Sequence, residues 1–297
     1  MQDIKLGTRP SKLALIQTEL VRSFLAEKGY KSSVVEHLSR GDVSRESAIF
    51  RLGEVGVFVR ELNRLVLEGK VDCAVHSAKD IPSKLEEGLE ISAVLPREDP
   101  GDVLIAGKSL ESLPYGSRIG TSSLRRTAEL RGQRFDIIVK NIRGNIDTRI
   151  AKYKDGEYDG IIVASAAIKR LGITEKHFPL PVTDFLPAPN QGIIAVVSST
   201  EGDTKGILRK IDHGETRKNM EIERSVMQRL NLGCSSPVGV LSKSVSGYNY
   251  VVSRFYSMDL INHMDFSGVI MNDADLDAYL DSIRNELPKN FGYGALG

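Results

Sequence analysis

Five short polar segments each follow a β-branched run and lead into a helical pattern or a turn: Thr8-Arg9-Pro10-Ser11, Ser77-Ala78-Lys79-Asp80, Thr121-Ser122-Ser123-Leu124-Arg125-Arg126, Arg143-Gly144-Asn145 and Ser165-Ala166. At such junctions a helix N-terminus offers free N–H groups and the positive end of its dipole, and in a doubly wound sheet ligands bind beyond the carboxyl ends of the strands. The chemistry these segments suit is anion recognition, and all five could face one cleft. Residues 118–149 sharpen this, with seven arginines and one lysine against three acids, a local excess of five positive charges. Arginine in preference to lysine favours planar, bidentate binding of carboxylates or phosphates. Arg125 and Arg126 stand at a helix start, where positive charge opposes the dipole, so a bound anion is the reason expected for them. Arg131 and Arg134 are equally open to pairing with Glu129, Asp136 or Asp147 on a solvated face.

The chain has two cysteines. Cys73 lies inside the run Val71-Asp72-Cys73-Ala74-Val75 and reads as a small buried hydrophobe. Cys234 sits in Gly233-Cys234-Ser235-Ser236-Pro237-Val238-Gly239, a loop in which a thiol is reachable; catalysis, covalent attachment and no role at all stay open there. Neither cysteine has a metal-ligand spacing, so no metal is expected. His76 and His213 lack any local arrangement that would fix a catalytic triad, and His76 is expected to orient its turn.

These residues must be held by a folded scaffold. With 297 residues, 41% hydrophobic and 27% charged, the chain has the balance of a globular protein of two or three domains, and general disorder is excluded. Apolar runs such as Ile193 to Val197 are too short to span a bilayer, and Met1-Gln2-Asp3-Ile4-Lys5 shows no secretory n-region, so a cytoplasmic location is expected. A net charge of +1, 6% aromatics and no tryptophan argue against a nucleic-acid-binding surface.

Short apolar strands alternating with helical patterns predict βαβ units and largely parallel sheets. A first helix is expected from Pro10 to Gly29 with Leu13, Ile16, Leu20, Val21 and Phe24 on its apolar face, and a second from Val57 to Leu67. The hinge-like Arg97-Glu98-Asp99-Pro100-Gly101 predicts a domain boundary, after which the rhythm restarts. Residues 1–96 and 190–211 are read as one discontinuous α/β domain, with Ile193 to Val197 returning to its sheet. Residues 97–189 are read as a second α/β domain bearing the arginine-rich face, and 212–297 as a small α+β domain bearing the Cys234 loop.

Taken together, Gly7-Thr8-Arg9-Pro10-Ser11-Lys12-Leu13-Ala14, Val75-His76-Ser77-Ala78-Lys79-Asp80-Ile81-Pro82, Gly120-Thr121-Ser122-Ser123-Leu124-Arg125-Arg126, Ile142-Arg143-Gly144-Asn145-Ile146-Asp147-Thr148-Arg149 and the Cys234 segment resemble the hydroxymethylbilane synthase (porphobilinogen deaminase) family in order and spacing. The resemblance covers about residues 3 to 240. It implies an α/β fold of two periplasmic-binding-protein-like doubly wound domains plus a small α+β C-terminal domain. It also implies a cytoplasmic, monomeric transferase of porphyrin and heme biosynthesis that condenses four porphobilinogens on a dipyrromethane cofactor and passes its product to uroporphyrinogen-III synthase. Cys234 is then the covalent attachment point, through a thioether. Lys79, Ser77, Thr121, Ser123, Arg125, Arg126, Gly144 and Arg149 hold the cofactor, and Arg9, Arg143 and Arg170 bind substrate. Asp80 is the catalytic carboxylate, stabilising the cationic azafulvene-like pyrrole left by loss of ammonia and moving protons. Phe58 is expected in a loop over the cleft.

Three positions depart from the family pattern. Asn190 stands where glycine is common, Val55 replaces a frequent lysine of the active-site loop, and Asn231-Leu232 replace a frequent Glu-Gly. Asparagine tolerates positive φ, so the first change is mild. The main alternative from a different class is an anion-binding protein on the same two-domain plan, which Cys234 argues against.

Overall fold

The computed structural model describes residues 3–38, 55–233, 236–288 and 291–293. In chain order, β1 (Ile4–Thr8), α1 (Lys12–Glu27), β2 (Ser32–Glu36), α2 (Val55–Leu67), β3 (Cys73–Ser77) and β4 (Leu89–Val94) come first. They are followed by β5 (Asp102–Ala106), β6 (Arg118–Gly120), α3 (Leu124–Gln133), β7 (Ile138–Lys140), α4 (Ile146–Lys154), β8 (Gly160–Ala164), α5 (Ser165–Leu171) and β9 (His177–Leu180). The remainder is β10 (Ile194–Ser199), α6 (Thr204–Leu208), α7 (Gly214–Arg229), β11 (Val238–Val245), β12 (Tyr248–Tyr256), β13 (His263–Ile270) and α8 (Asp273–Glu286). The chain divides into two compact units, Met1–Glu98 with Ile193–Lys218, and Asp99–Gly192 with Asn219–Gly297.

The first unit is built on one sheet of order β2-β1-β3-β10-β4. β1 pairs in parallel with β2 and β3, whereas β10 runs antiparallel between β3 and β4. The apolar run at Ile193 therefore does return to the first sheet. Its core gathers Leu6, Val21, Leu25, Cys73, Val75, Ala93, Ile194 and Val196. Cys73 is fully buried, and burial raises its thiol pKa far above the usual range, so it packs as a hydrophobe.

Ser11 starts α1 by accepting a hydrogen bond from the Ala14 N–H (3.3 Å). The face α1 buries is Gln17, Thr18, Val21 and Leu25; of the expected Leu13, Ile16, Leu20, Val21 and Phe24, Val21 is buried and Phe24 packs against the same core, whereas Leu20 is exposed. Two polar residues take the inner stripe because each finds a partner there. Gln17 Nε2 donates to Ser77 Oγ (2.8 Å), and Thr18 Oγ1 donates to the Ala14 carbonyl (2.9 Å).

The second unit carries two sheets. The larger, of order β7-β6-β8-β5-β9, has parallel β6–β7 and β6–β8 pairs and antiparallel β5–β8 and β5–β9 pairs. Alternate residues of β5 feed two cores. Leu104 and Ala106 join Ile119, Leu130, Ile162 and Phe185, while Val103 and Ile105 join Ile142, Ile161, Val163 and Ile168. Both faces of this sheet are thus covered, which is why β5 and β8 are apolar almost throughout.

The smaller sheet is the antiparallel meander β11-β12-β13. One face packs Val240, Val251, Phe255 and Phe266 against Ile222 and Val226 of α7 and Leu276, Leu280 and Ile283 of α8. Phe255 and Phe266 meet edge to face at 5.7 Å, a favourable aromatic geometry.

Candidate active site

In the first unit, the candidate residues follow the ends of β1 and β3. β3 finishes at Ser77 and passes into a single 3-10 turn, Ala78–Asp80, so Ser77, Lys79 and Asp80 sit together beyond its carboxyl end. Ser77 is held by Gln17, as above. Burial pushes the Asp80 carboxyl above its ordinary range, while the positive charges of Lys79 and Arg9 pull it back. Arg9 follows β1 directly, and its guanidinium carbon lies 4.0 Å from the centroid of the Phe58 ring. Phe58 belongs to the first turns of α2, in line with the helix expected from Val57 to Leu67 and not with the loop that the resemblance implied, and Val55 is the first residue of that helix. The helix continues to Leu67 on an apolar stripe that includes Val59, Leu62 and Val66, which draws its first turn into helical form.

His76 lies behind this turn, buried in β3, with Nε2 2.9 Å from Asn63 Oδ1. Asn63 Nδ2 donates to Glu86 Oε2 (2.9 Å), so Asn63 Oδ1 is the acceptor and His76 Nε2 carries the proton. Burial, aided by Arg9, depresses the His76 pKa to about 4. The neutral imidazole therefore ties β3 to α2 and fixes the start of the Asp80 turn.

In the second unit, the candidate residues follow the ends of β6, β7 and β8. Thr121 and Ser123 lead from β6 into α3: Ser123 N donates to Thr121 Oγ1 (3.2 Å), and Ser123 Oγ caps the helix by accepting from Arg126 N (3.4 Å). Arg125 and Arg126 are 3% and 7% exposed, too buried for a solvated face. They share one acid. Arg125 Nη2 donates to Asp102 Oδ2 at 2.7 Å and Arg126 Nη2 to Asp102 Oδ1 at 2.6 Å. Arg125 Nη1 reaches the Leu186 carbonyl (2.6 Å) and Arg126 Nη1 the Ile162 carbonyl (3.1 Å). Gln191 Nε2 adds a third donor to Asp102 Oδ1 (2.9 Å). Burial alone would raise the Asp102 pKa, but Arg126 and Arg125 overpower it and hold the carboxyl well below the usual range.

Arg149, in the first turns of α4, donates from Nε to the Gly144 carbonyl (2.8 Å). Burial and the neighbouring Arg126 charge both lower its pKa, the mark of cations gathered faster than local acids offset them. Gly144 has φ +109°, and a Cβ there would lie 2.8 Å from Thr148 Cγ2, so the turn into α4 needs glycine. Arg143 is exposed in the same turn, and Arg170 of α5 donates from Nη2 to the Gly192 carbonyl (2.7 Å). Arg134, by contrast, forms a part-buried bidentate pair with Asp136 at 2.7 Å and donates to the Leu110 carbonyl (2.8 Å).

Two acids that the sequence did not single out organise this half. Asp102 is the first residue of β5, and Glu129 is no surface partner. It is 1% exposed, accepting from Leu186 N (3.0 Å) and from Arg254 Nη1 (3.1 Å). An acid at the head of an otherwise apolar strand is the signal that could have marked Asp102. Cys234 lies outside the described residues; the last residue of its segment, Gly239, is in β11, where a Cβ would lie 2.9 Å from the Leu186 carbonyl oxygen. Asn190 occupies the left-handed region at φ +62° and Asn231 at +51°, conformations asparagine accepts more readily than most residues. Among the described residues no cluster of His, Cys, Asp and Glu is placed to hold a metal, and no helix is long and apolar enough to cross a membrane.

Residues 4–206 match the family described as "Porphobilinogen deaminase, dipyromethane cofactor binding domain". The chain is 47% identical over 290 residues to a probable porphobilinogen deaminase of Picrophilus torridus, covering 98% of this chain and 99% of that protein. It is 44% identical over 290 residues to a probable porphobilinogen deaminase of Thermoplasma volcanium, covering 98% of each. Among solved structures, the methionine binding protein MetQ matches with a TM-score of 0.44 and 11% identity over 73% of this chain and 92% of that one.

Proposed function

The chain belongs to the porphobilinogen deaminase family, and from that we propose that it is a hydroxymethylbilane synthase: a transferase that joins four porphobilinogens head to tail with loss of ammonia and releases linear hydroxymethylbilane by hydrolysis. Its cofactor is dipyrromethane, which when bound supplies the primer pyrrole onto which substrate is added.

One observation carries the reading: Arg125 and Arg126 share a single buried acid, Asp102, and Arg149 lies near enough for the Arg126 charge to lower its pKa. The Nε atoms of Arg125 and Arg126 are buried without a hydrogen-bond partner among the described residues. Buried N–H groups left unmet are costly, and a carboxylate satisfies both charge and donors. Each pyrrole brings an acetate and a propionate, so the residues present fit the cofactor.

Arg125, Arg126 and Arg149 would hold its carboxylates, with Ser77, Lys79, Thr121, Ser123 and the turn at Gly144 shaping the rest of its seat. The Cys234 thiolate would attach it through a thioether. Arg9, Arg143 and Arg170 would bind carboxylates of the incoming substrate. Asp80 would act as the catalytic residue, offsetting positive charge as ammonia leaves and accepting or returning a proton at its carboxylate. A raised pKa suits a group that must do both. In this reading residues 1–96 with 190–211, 97–189 and 212–297 act as three domains. The enzyme works as a cytoplasmic monomer whose product passes to uroporphyrinogen-III synthase.

Incubation of the purified protein with porphobilinogen tests the activity. Release of four ammonia per hydroxymethylbilane is expected, and no consumption of porphobilinogen by cofactor-loaded protein would overturn the reading.

A further inference from the structure

We propose that Asp102 is a positioning residue of the reaction: its one carboxylate, seated between Arg125 and Arg126, fixes both guanidiniums so that their remaining N–H edges are set for carboxylates of the pyrrole chain. The inference rests on the function proposed above and assigns a role within that same site.

Asp102 is 1% exposed and stands in β5, hydrogen-bonded through the strand ladder to β8 on one side and β9 on the other, so its backbone has little freedom. Each carboxylate oxygen takes a different arginine, and Gln191 Nε2 pins Oδ1 from a third direction while also donating to the Pro100 and Gly101 carbonyls. The fork geometry of each guanidinium is then fully specified: Nη2 on Asp102, Nη1 on a main-chain carbonyl, and Nε left over. A guanidinium fixed by two such contacts loses little rotamer freedom when a third partner arrives, which is the physical content of preorganisation.

Charge makes the same point. Two arginines against one aspartate leave the trio at one net positive charge, enough to attract an anionic ligand without leaving two like charges bare in a buried place. A bystander acid would neutralise charge without setting geometry. The two roles separate when the carboxylate is removed and then returned from solution.

The experiment uses full-length apoprotein as wild type, Asp102→Asn and Asp102→Ala. Each is incubated with porphobilinogen, and uptake of the dipyrromethane mass is followed by intact-protein mass spectrometry, with circular dichroism reporting the fold. Both variants should load at least about 30-fold more slowly than wild type, the size expected when one member of a buried charged set is removed. Formate, which fits the space left by the carboxylate in Asp102→Ala, should speed loading of that variant at least about fivefold where chloride at equal ionic strength does not.

Wild-type loading rates in Asp102→Asn would overturn the proposal, as would a folded Asp102→Ala indifferent to formate. If the variants fail to fold, formate that restores both fold and loading supports the positioning role. Formate that restores the fold alone, or neither, overturns it. Wild-type apoprotein that takes up no pyrrole mass would instead sink the functional reading itself.

Discussion

Glu129 Oε2 and Arg254 Nη1 lie 3.1 Å apart, joining helix α3, which begins with the paired arginines, to strand β12 of the smaller sheet. Arg254 also grips Asp265 through two 2.7 Å contacts, and Glu129 holds Leu186 N, whose own carbonyl receives Arg125. The arginine site and the small sheet are therefore parts of one polar network inside the second unit. Burial pushes the Glu129 carboxyl above its usual range against the pull of Arg254. Glu129→Gln keeps an acceptor for Leu186 N, and because the folded state disfavours the charged carboxyl, losing that charge should cost no more than about 1 kcal/mol at neutral pH. Denaturant unfolding should show wild type gaining stability over Glu129→Gln as the pH falls through the raised pKa, where the folded chain takes up the proton first; a difference that does not change with pH would contradict this.

His76 gives a pH dependence with a definite sign. Its folded pKa of about 4 lies below the ordinary 6.5, so in acid the unfolded chain takes up the proton first. Stability from this group is complete above 6.5 and drains away as the pH falls toward 4, by on the order of 3 kcal/mol for a shift of this size. His76→Gln keeps a donor for Asn63 but does not titrate. Unfolding free energies of the two proteins should converge between pH 7 and pH 4, and parallel curves would contradict this. Asp102 acts at lower pH, because its depressed carboxyl keeps stabilising until the pH drops below the usual 3.8.

Gly144→Ala tests the turn that sets Arg149. With φ at +109° and Thr148 Cγ2 2.8 Å from the added carbon, the substitution should cost about 2 kcal/mol and loosen the Arg149 contact to the Gly144 carbonyl. A lower melting temperature together with slower cofactor loading is expected, and unchanged values of both would show that the turn tolerates a side chain.

Much of this was legible in the sequence, and the gaps have physical causes. The return of Ile193 to Val197 to the first sheet was legible because a short, wholly apolar run suits a strand buried between two neighbours. The stripe of α1 was read only in part, Val21 and Phe24 but not Gln17 and Thr18, because periodicity counts apolar residues while those two are buried by the partners they find. Phe58 was expected in a loop on family resemblance, yet it lies on the same helical stripe as Val59 and Leu62. The arginines at a helix start stood out by type and place, but Asp102 is 23 residues from Arg125 and 24 from Arg126 in the chain, and only the sheet brings it to them. Glu129 was read with its helix neighbours, whereas its partner is 125 residues away.

Asp80→Asn keeps the shape of the turn while removing the charge that Lys79 and Arg9 face. The protein should fold and retain its cofactor yet lose at least about 100-fold in turnover, the usual worth of a placed acid–base group. Because burial raises the carboxyl, the acid limb of the wild-type rate should lie above the ordinary aspartate value of 3.8. A variant with substantial activity would remove Asp80 from the chemistry.

The most direct measurement is the intact mass of the purified protein by electrospray, beside that of Cys234→Ser. Wild-type protein should exceed its sequence mass by two linked pyrrole units, and Cys234→Ser should not. A wild-type mass equal to the bare sequence that stays unchanged after incubation with porphobilinogen, or the same added mass on the serine variant, would contradict covalent cofactor attachment at Cys234.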